Sequence, residues 1–182
     1  MSIQPATLLT EKDLEIRKAY HNADALRGLP GIAISQAGNR GGLTQVRVRG
    51  AEANHVKVIL DGIELNNPGF GDEYGFGHLD LTGVNRVELI NGPQSSIWGS
   101  DALAGLIYID SSPVENISRI DIAGGSHTTR DASFTVSRLS EAGHFSSTAS
   151  HLSTAGTNIS REGEEDDAYS NTTLHLNVLR KI

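Results

Sequence analysis

Apolar and polar residues alternate in short runs along most of this chain, and no long helical stripe competes with them. Ile32–Gln36, Thr44–Arg49, Val56–Leu60, Val84–Ile90 and Leu106–Ile109 are rich in valine, isoleucine and leucine and bounded by turn-forming residues, the pattern of strands. In "VRVRGAEANHVKVILDGIEL", from Val46 to Leu65, Val46 and Val48 alternate with Arg47 and Arg49 until Gly50 breaks the run. Val56, Val58 and Leu60 follow, and Asp61-Gly62 turns the chain. The stretch reads as a half-buried strand pair carrying two arginines on one face. Helical signals are confined to the start. Thr10 is placed to N-cap a helix over "EKDLEIRK" with Asp13 as capping-box partner, and Asn22 to cap a second over "ADALRG", stopped by Pro30-Gly31.

Beyond Asp110–Pro113 the alternation becomes strict. Ile120 and Ile122 oppose Arg119 and Asp121, and Ala132, Phe134 and Val136 oppose Ser133, Thr135 and Ser137. "HFSSTASHL" alternates weakly, and Leu174, Leu176 and Val178 oppose His175 and Asn177. Four strands joined in sequence predict an antiparallel meander, apolar on one face and rich in hydroxyls on the other. A wall between lipid and water gives this pattern, and so does one layer of a soluble sandwich.

Composition narrows the classes. The 182 residues are 37% apolar and include 20 glycines, too apolar for disorder and too glycine-rich for a helical bundle. A net charge of −7 gives a nucleic-acid partner no electrostatic support. The chain has no cysteine, so disulfides and thiolate chemistry are excluded. No run approaches the roughly 18 apolar residues of a spanning helix, and "MSIQPATLLTEKD" lacks the basic and apolar regions of a signal peptide. Taken alone these features suit the cytosol, an expectation that the motifs below replace.

Catalytic chemistry finds no motif. "GFGDEYGFG" is neither a dinucleotide fingerprint nor a Walker loop, no histidine pair has zinc spacing, and no serine stands in G-x-S-x-G. His144 and His151, seven apart on one strand, belong on opposite faces. The carboxylate pairs Asp61/Glu64 and Asp72/Glu73 are acid–base candidates only in principle. An enzyme is therefore not expected.

The segment Val84–Ile109, "VNRVELINGPQSSIWGSDALAGLIYI", resembles the end of the plug domain of TonB-dependent outer-membrane receptors. Arg86, Glu88, Gly92-Pro93, Gly99-Ser100-Asp101-Ala102 and Gly105 carry the likeness. Upstream, "DALRGLPGIAI", "VRVRG" and "VKVILDG" resemble earlier plug blocks in order and spacing, so the likeness covers roughly Thr10 to Ile109. "RGAEANHVKVILDGIELNNP" is similar to the cobalamin-transporter branch, while siderophore receptors share the general blocks.

The resemblance implies an α+β fold: a plug (1–112) with a small mixed sheet and two short helices, then an antiparallel meander (113–182) that starts a transmembrane β-barrel. Receptors of this kind close about 22 strands around the plug, and neither a signal peptide nor a TonB-contacting box is visible before Thr10. The chain is thus expected to be a piece, most of a plug plus the first barrel strands. The implied function is TonB-driven uptake of a scarce nutrient across the outer membrane, cobalamin or a ferric siderophore. A soluble β-rich module that binds a protein through the same loops is the alternative from another class.

Ligand contacts are expected from the loops Ala51–His55 and Asn66–His78, through Ala51, Glu52, Asn54, His55, Phe70, Asp72, Glu73, Tyr74 and Phe76. The resemblance also implies a plug–barrel lock in which barrel carboxylates hold Arg49, with Arg86 and Glu88 in the same set. Asn91 stands where the family pattern carries a second arginine. In "EGEEDDAY", Glu165 and Asp167 resemble calcium ligands of an extracellular loop, with Glu162, Glu164 and Asp166 nearby. The partners so implied are TonB, the nutrient and outer-membrane lipid.

Overall fold

The computed structural model describes residues 6–17, 22–159, 163 and 165–180. They divide into two compact units, 1–37 with 43–111 and 38–42 with 112–182. In chain order the first unit runs β1 (Ala6–Thr10), α1 (Glu11–Arg17), a 3-10 turn at Asn22–Leu26, β2 (Ile32–Gln36), β3 (Thr44–Val48), β4 (Val56–Leu60), β5 (Ile63–Glu64), β6 (Arg86–Asn91), α2 (Ser95–Trp98) and β7 (Gly105–Asp110). One mixed sheet has the order β1-β6-β7-β4-β5, in which β4 and β7 are parallel and the other neighbours antiparallel. β2 and β3 form a separate antiparallel pair.

Local chemistry explains the helix and the turn after it. Thr10 Oγ1 accepts the Asp13 N–H at 3.4 Å, while the Thr10 N–H and hydroxyl donate to Asp13 Oδ2 at 2.9 and 2.7 Å. This closed capping box starts α1, and the Thr10 hydroxyl, then its N–H, holds the Asp13 carboxyl below the usual carboxylate range. The expected second helix is instead a 3-10 turn, because Gly28 at φ +83 diverts the chain before an α-helical turn can repeat. The second short α-helix is α2, in a stretch without helical periodicity.

Strands β3 and β4 are present, but they are not a hydrogen-bonded pair. Arg49 and Gly50 take φ values of +52 and +78, so the strand ends at Val48 and the chain crosses from one sheet to the other. Val46 and Val48 then join Val56 and Val58 in a single core with Leu14, Leu26, Leu89 and Ile107, all exposed by 1% or less. Each such side chain contributes about 1.5–3 kcal/mol.

The second unit is the expected meander: β8 (Ile117–Gly125), β9 (Thr129–Ser140), β10 (Gly143–Thr154) and β11 (Tyr169–Arg180), in the order β11-β10-β9-β8. Register aligns Ile120, Phe134, Ala149 and Leu174 across the four strands, and Arg119, Thr135, Thr148 and His175 on the other face. The apolar face is the open one: Ile120, Ile122 and Leu174 are 71, 82 and 77% exposed, whereas Ser137, Ser146, Thr148 and Ser150 are buried. A sandwich layer would do the reverse. Apolar side chains outward and hydroxyls inward suit a lipid-facing wall. His144 and His151 do lie on opposite faces, bonded across the ladder to Asn177 Oδ1 (2.9 Å) and Thr172 Oγ1 (2.8 Å).

Residues 38–42 pack with this unit through Asn39, whose amide bonds the Thr157 backbone and whose Oδ1 accepts the Thr157 hydroxyl at 3.1 Å. A Cβ on Gly41 would lie 2.3 Å from the Tyr169 ring, so only glycine fits there.

Candidate functional site

Register brings three connections to one end of the five-stranded sheet. Val56 at the start of β4 and Asn91 at the end of β6 both lie beside Gly105 at the start of β7. Segments 49–55, 65–78 and 92–104 therefore gather there. The His55 carbonyl accepts the Ala104 N–H at 2.9 Å, which ties the first segment to the third.

Segment 65–78 is fastened by Asn66, 8% exposed. Its Nδ2 donates to the Val56 carbonyl (3.0 Å) and the Asp72 carbonyl (2.8 Å), and its Oδ1 accepts the Val58 N–H at 2.8 Å. Asn67 then accepts the Gly69 N–H at 2.9 Å and starts a 3-10 turn, Pro68–Phe70. Gly71 and Asp72 follow in the left-handed region, and Asn67 bridges back to Glu73.

The structure does not assemble the three loop aromatics on one surface. Phe70 is 52% exposed, but Phe76 is 2% exposed and belongs to the core. Tyr74 packs edge-on against Phe76 with ring centroids 4.8 Å apart, and burial pushes its phenol up to about 12. Asp72 is exposed and Glu73 half-buried. Glu73 accepts the Gln45 amide at 2.6 Å, Gln45 in turn accepts Arg47 at 3.1 Å, and Arg47 reaches Ser35 Oγ at 3.2 Å. Arg47 is thus met by polar side chains of its own unit, and Arg49 has left the strand. In 49–55, Ala51 donates its N–H to the Val48 carbonyl at 3.0 Å and Glu52 is exposed. Asn54 Oδ1, Asn91 Oδ1 and Ser95 Oγ are buried without a hydrogen-bond partner; Asn54 and Ser95 lie in these connections and Asn91 ends β6 beside them.

The residues of the expected lock are dispersed within the first unit. Arg49 is exposed, and its Cγ and Asn91 Oδ1 both face Gly31, at 3.4 and 3.8 Å from where a Cβ would stand. Arg86 pairs with Asp110 across β6 and β7 at 3.0 Å. Glu88 stands between Leu8 and Tyr108 in register. In the second unit Glu165 and Asp167 are exposed, and Asp167 Oδ2 lies 3.3 Å from the Ile159 N–H and 3.4 Å from Asn39 Nδ2. Glu162 and Glu164 lie outside the described residues. Among those described, no three histidine, aspartate or glutamate side chains are grouped to hold a metal.

Two contributors escape the sequence reading. Lys57, in the apolar run "VKVIL", is buried with its Nζ 2.6 Å from the Trp98 carbonyl, 3.0 Å from Glu64 and 3.7 Å from Asp101. A lone lysine in such a run was the available signal, since a buried ammonium needs oxygen partners. Asn66 gave none, because asparagine after a strand reads as a turn.

Residues 1–106 match the family model described as the TonB-dependent receptor plug domain. The chain is 33% identical over 138 residues, 75% of its length, to the vitamin B12 transporter BtuB of Vibrio vulnificus (strain CMCP6), and spans 22% of that protein. Its fold is similar to the ferric yersiniabactin uptake receptor FyuA of Yersinia pestis (TM-score 0.70, 20% identity, covering 95% of this chain and 28% of that one). It is also similar to the pyoverdine outer membrane receptor FpvA of Pseudomonas aeruginosa PAO1 (TM-score 0.69, 21% identity, 85% of this chain and 23% of that one). The chain thus spans roughly a quarter of each of these relatives, and the two solved structures speak for the fold alone. A plug-domain match over more than half the chain, covering most of the mixed sheet described above, establishes that this chain belongs to the TonB-dependent receptors of the outer membrane.

Proposed function

We propose that this protein serves TonB-driven uptake of a scarce nutrient across the outer membrane, and that the nutrient is cobalamin. The observation that carries the ligand is the 33% identity to a vitamin B12 transporter along three quarters of the chain. Structural neighbours that take up ferric yersiniabactin, a ferric catecholate or copper stand at 20–24% identity. On this reading the plug obstructs the pore, the gathered connections contribute ligand contacts, and TonB supplies the work that opens a path. Phe70 offers a face for stacking, Asp72 and Glu52 offer carboxylates at the surface, and the orphaned atoms of Asn54, Asn91 and Ser95 are polar groups that seek partners. Arg49 is the residue that barrel carboxylates would hold, and Glu165 with Asp167 would ligate calcium. Energy comes from the inner membrane, so the cycle asks for no catalytic side chain.

Growth of a cobalamin-requiring strain that lacks its own transporter tests the proposal. The receptor carrying this chain is expected to restore growth on nanomolar cyanocobalamin only when TonB is present, and to bind cyanocobalamin in detergent. Binding of a ferric catecholate in place of cyanocobalamin would reassign the nutrient. Binding of neither, with no TonB-dependent growth, would overturn the proposal.

A further inference from the structure

We infer that Asn66 is the positioning residue of segment 65–78: its side-chain amide acts as a substitute strand that pins the segment to the open edge of β4. β5 covers that edge with only Ile63 and Glu64. Leu65 N–H still reaches the Val58 carbonyl at 2.9 Å. In a regular antiparallel ladder the Val58 N–H would return that bond to the same residue. It goes instead to Asn66 Oδ1 at 2.8 Å, and the next edge carbonyl, Val56, accepts from Asn66 Nδ2 at 3.0 Å. One amide therefore completes two ladder positions after the backbone has turned away.

The second N–H of the same amide donates to the Asp72 carbonyl at 2.8 Å. Asp72 lies six residues on, in the left-handed region, which aspartate tolerates better than most side chains. All three amide bonds are thus used in a site 8% exposed, and each has one geometry. The amide fixes both where the segment leaves the sheet and where it returns, and Phe70 is carried between these two points. If segment 65–78 moves, the edge of β4 loses its partners in the same step, so the loop and the sheet edge are coupled through one side chain.

The functional consequence rests on the proposed ligand reading; the pin itself does not. Asn66→Asp keeps the acceptor for Val58 but sets a carboxylate oxygen against the Val56 and Asp72 carbonyls, and Asn66→Ala removes all three bonds. Amide exchange by mass spectrometry on the protein in detergent is the test. In the parent, the Val58 N–H should be protected although no backbone carbonyl bonds it. Both variants should exchange at least 10-fold faster at Val58 and at 67–73, with Leu89 and Ile107 unchanged as evidence of an intact core. Acid should restore protection in Asn66→Asp, because the protonated acid regains one donor. Parent-like protection at Val58 and 67–73 in both variants would overturn the pin. So would an exchange increase spread evenly through Leu89 and Ile107, or failure of acid to restore Asn66→Asp. Cyanocobalamin binding, measured alongside, should weaken about 10-fold in both variants. Failure of the parent to bind would count against the uptake reading alone and leave the exchange result to decide the pin.

Discussion

Replacing Lys57 separates the contribution of its buried charge from that of its stem. The side chain is 8% exposed and links β4 to Glu64 on β5 and to the Trp98 carbonyl and Asp101 in the 92–104 connection. Glu64 and Asp101 retain 45 and 25% exposure, so water can resolvate both carboxylates once the cation is gone. Screening keeps the ion pairs themselves below about 1 kcal/mol each. The 2.6 Å bond to a carbonyl is charge-assisted and worth about 1.5–3 kcal/mol. Burial of the stem adds about 0.8 kcal/mol per methylene. Lys57→Ala should therefore cost about 4 kcal/mol, and Lys57→Met, which keeps most of the stem, about 2 kcal/mol. This chain has a single tryptophan, and it is the residue whose carbonyl Lys57 grips. A urea titration in detergent followed by Trp98 fluorescence reads the effect directly. With a slope of about 2 kcal/mol per molar, Lys57→Met should lower the midpoint by roughly 1 M and Lys57→Ala by roughly 2 M. A Met variant as stable as the parent would show that the ammonium contacts contribute nothing net. Equal losses for Met and Ala would show that the stem does not matter.

Four further outcomes can be measured. Phe76→Ala should destabilise the first unit by about 3–5 kcal/mol. Phe70→Ala should leave stability within about 0.5 kcal/mol while weakening ligand binding, which denaturation and cyanocobalamin titration together would check. Because the Thr10 hydroxyl and N–H hold the pKa of the Asp13 carboxyl below its ordinary value, its contribution to the α1 cap is present above that ordinary value and lost as pH falls through the lowered one. The protection factor of the Leu14 amide, taken against its intrinsic exchange rate at each pH, should therefore fall in acid for the parent, whereas Asp13→Asn should lose that pH dependence. Calcium should tighten cyanocobalamin binding to the intact receptor, and Glu165→Ala with Asp167→Ala should abolish that difference; equal affinity with calcium and with a chelator would remove the site.

What the sequence made legible was whatever rests on a two-faced environment. β8 to β11 each present one face outward and one inward, so alternation alone located them, and their antiparallel order followed from their spacing. The sign of the faces was not legible, because a sandwich and a lipid wall alternate identically; exposure of Ile122 beside burial of Thr148 decides it. Pairing in the first unit was hidden for a different reason. A hairpin and a crossover can join the same two strands, and the choice lay in the backbone angles of Arg49 and Gly50. β1 was missed because of its residues only Leu9 is buried. The grouping of 38–42 with the second unit depends on Asn39 meeting Thr157, more than a hundred positions away.

The site was legible as an address more than as a set of groups. Glycine-rich composition located segment 65–78, because a chain that must turn sharply needs residues tolerant of positive φ. It could not tell a surface aromatic from a core one: Phe70 and Phe76 sit in near-identical glycine contexts, yet one is exposed and the other fills the core beside Leu79 and Val84. Nor could it rank Asn66 above Asn67. The first bonds the edge of a sheet and the second only its own turn, a difference set by the register of β5 on β4. Side chains that replace backbone leave no periodic trace, since they act once and at a single position. Here the bonds of the edge strand run from Val58 to Asn66, and through Asn66 to Asp72 and the loop that carries Phe70.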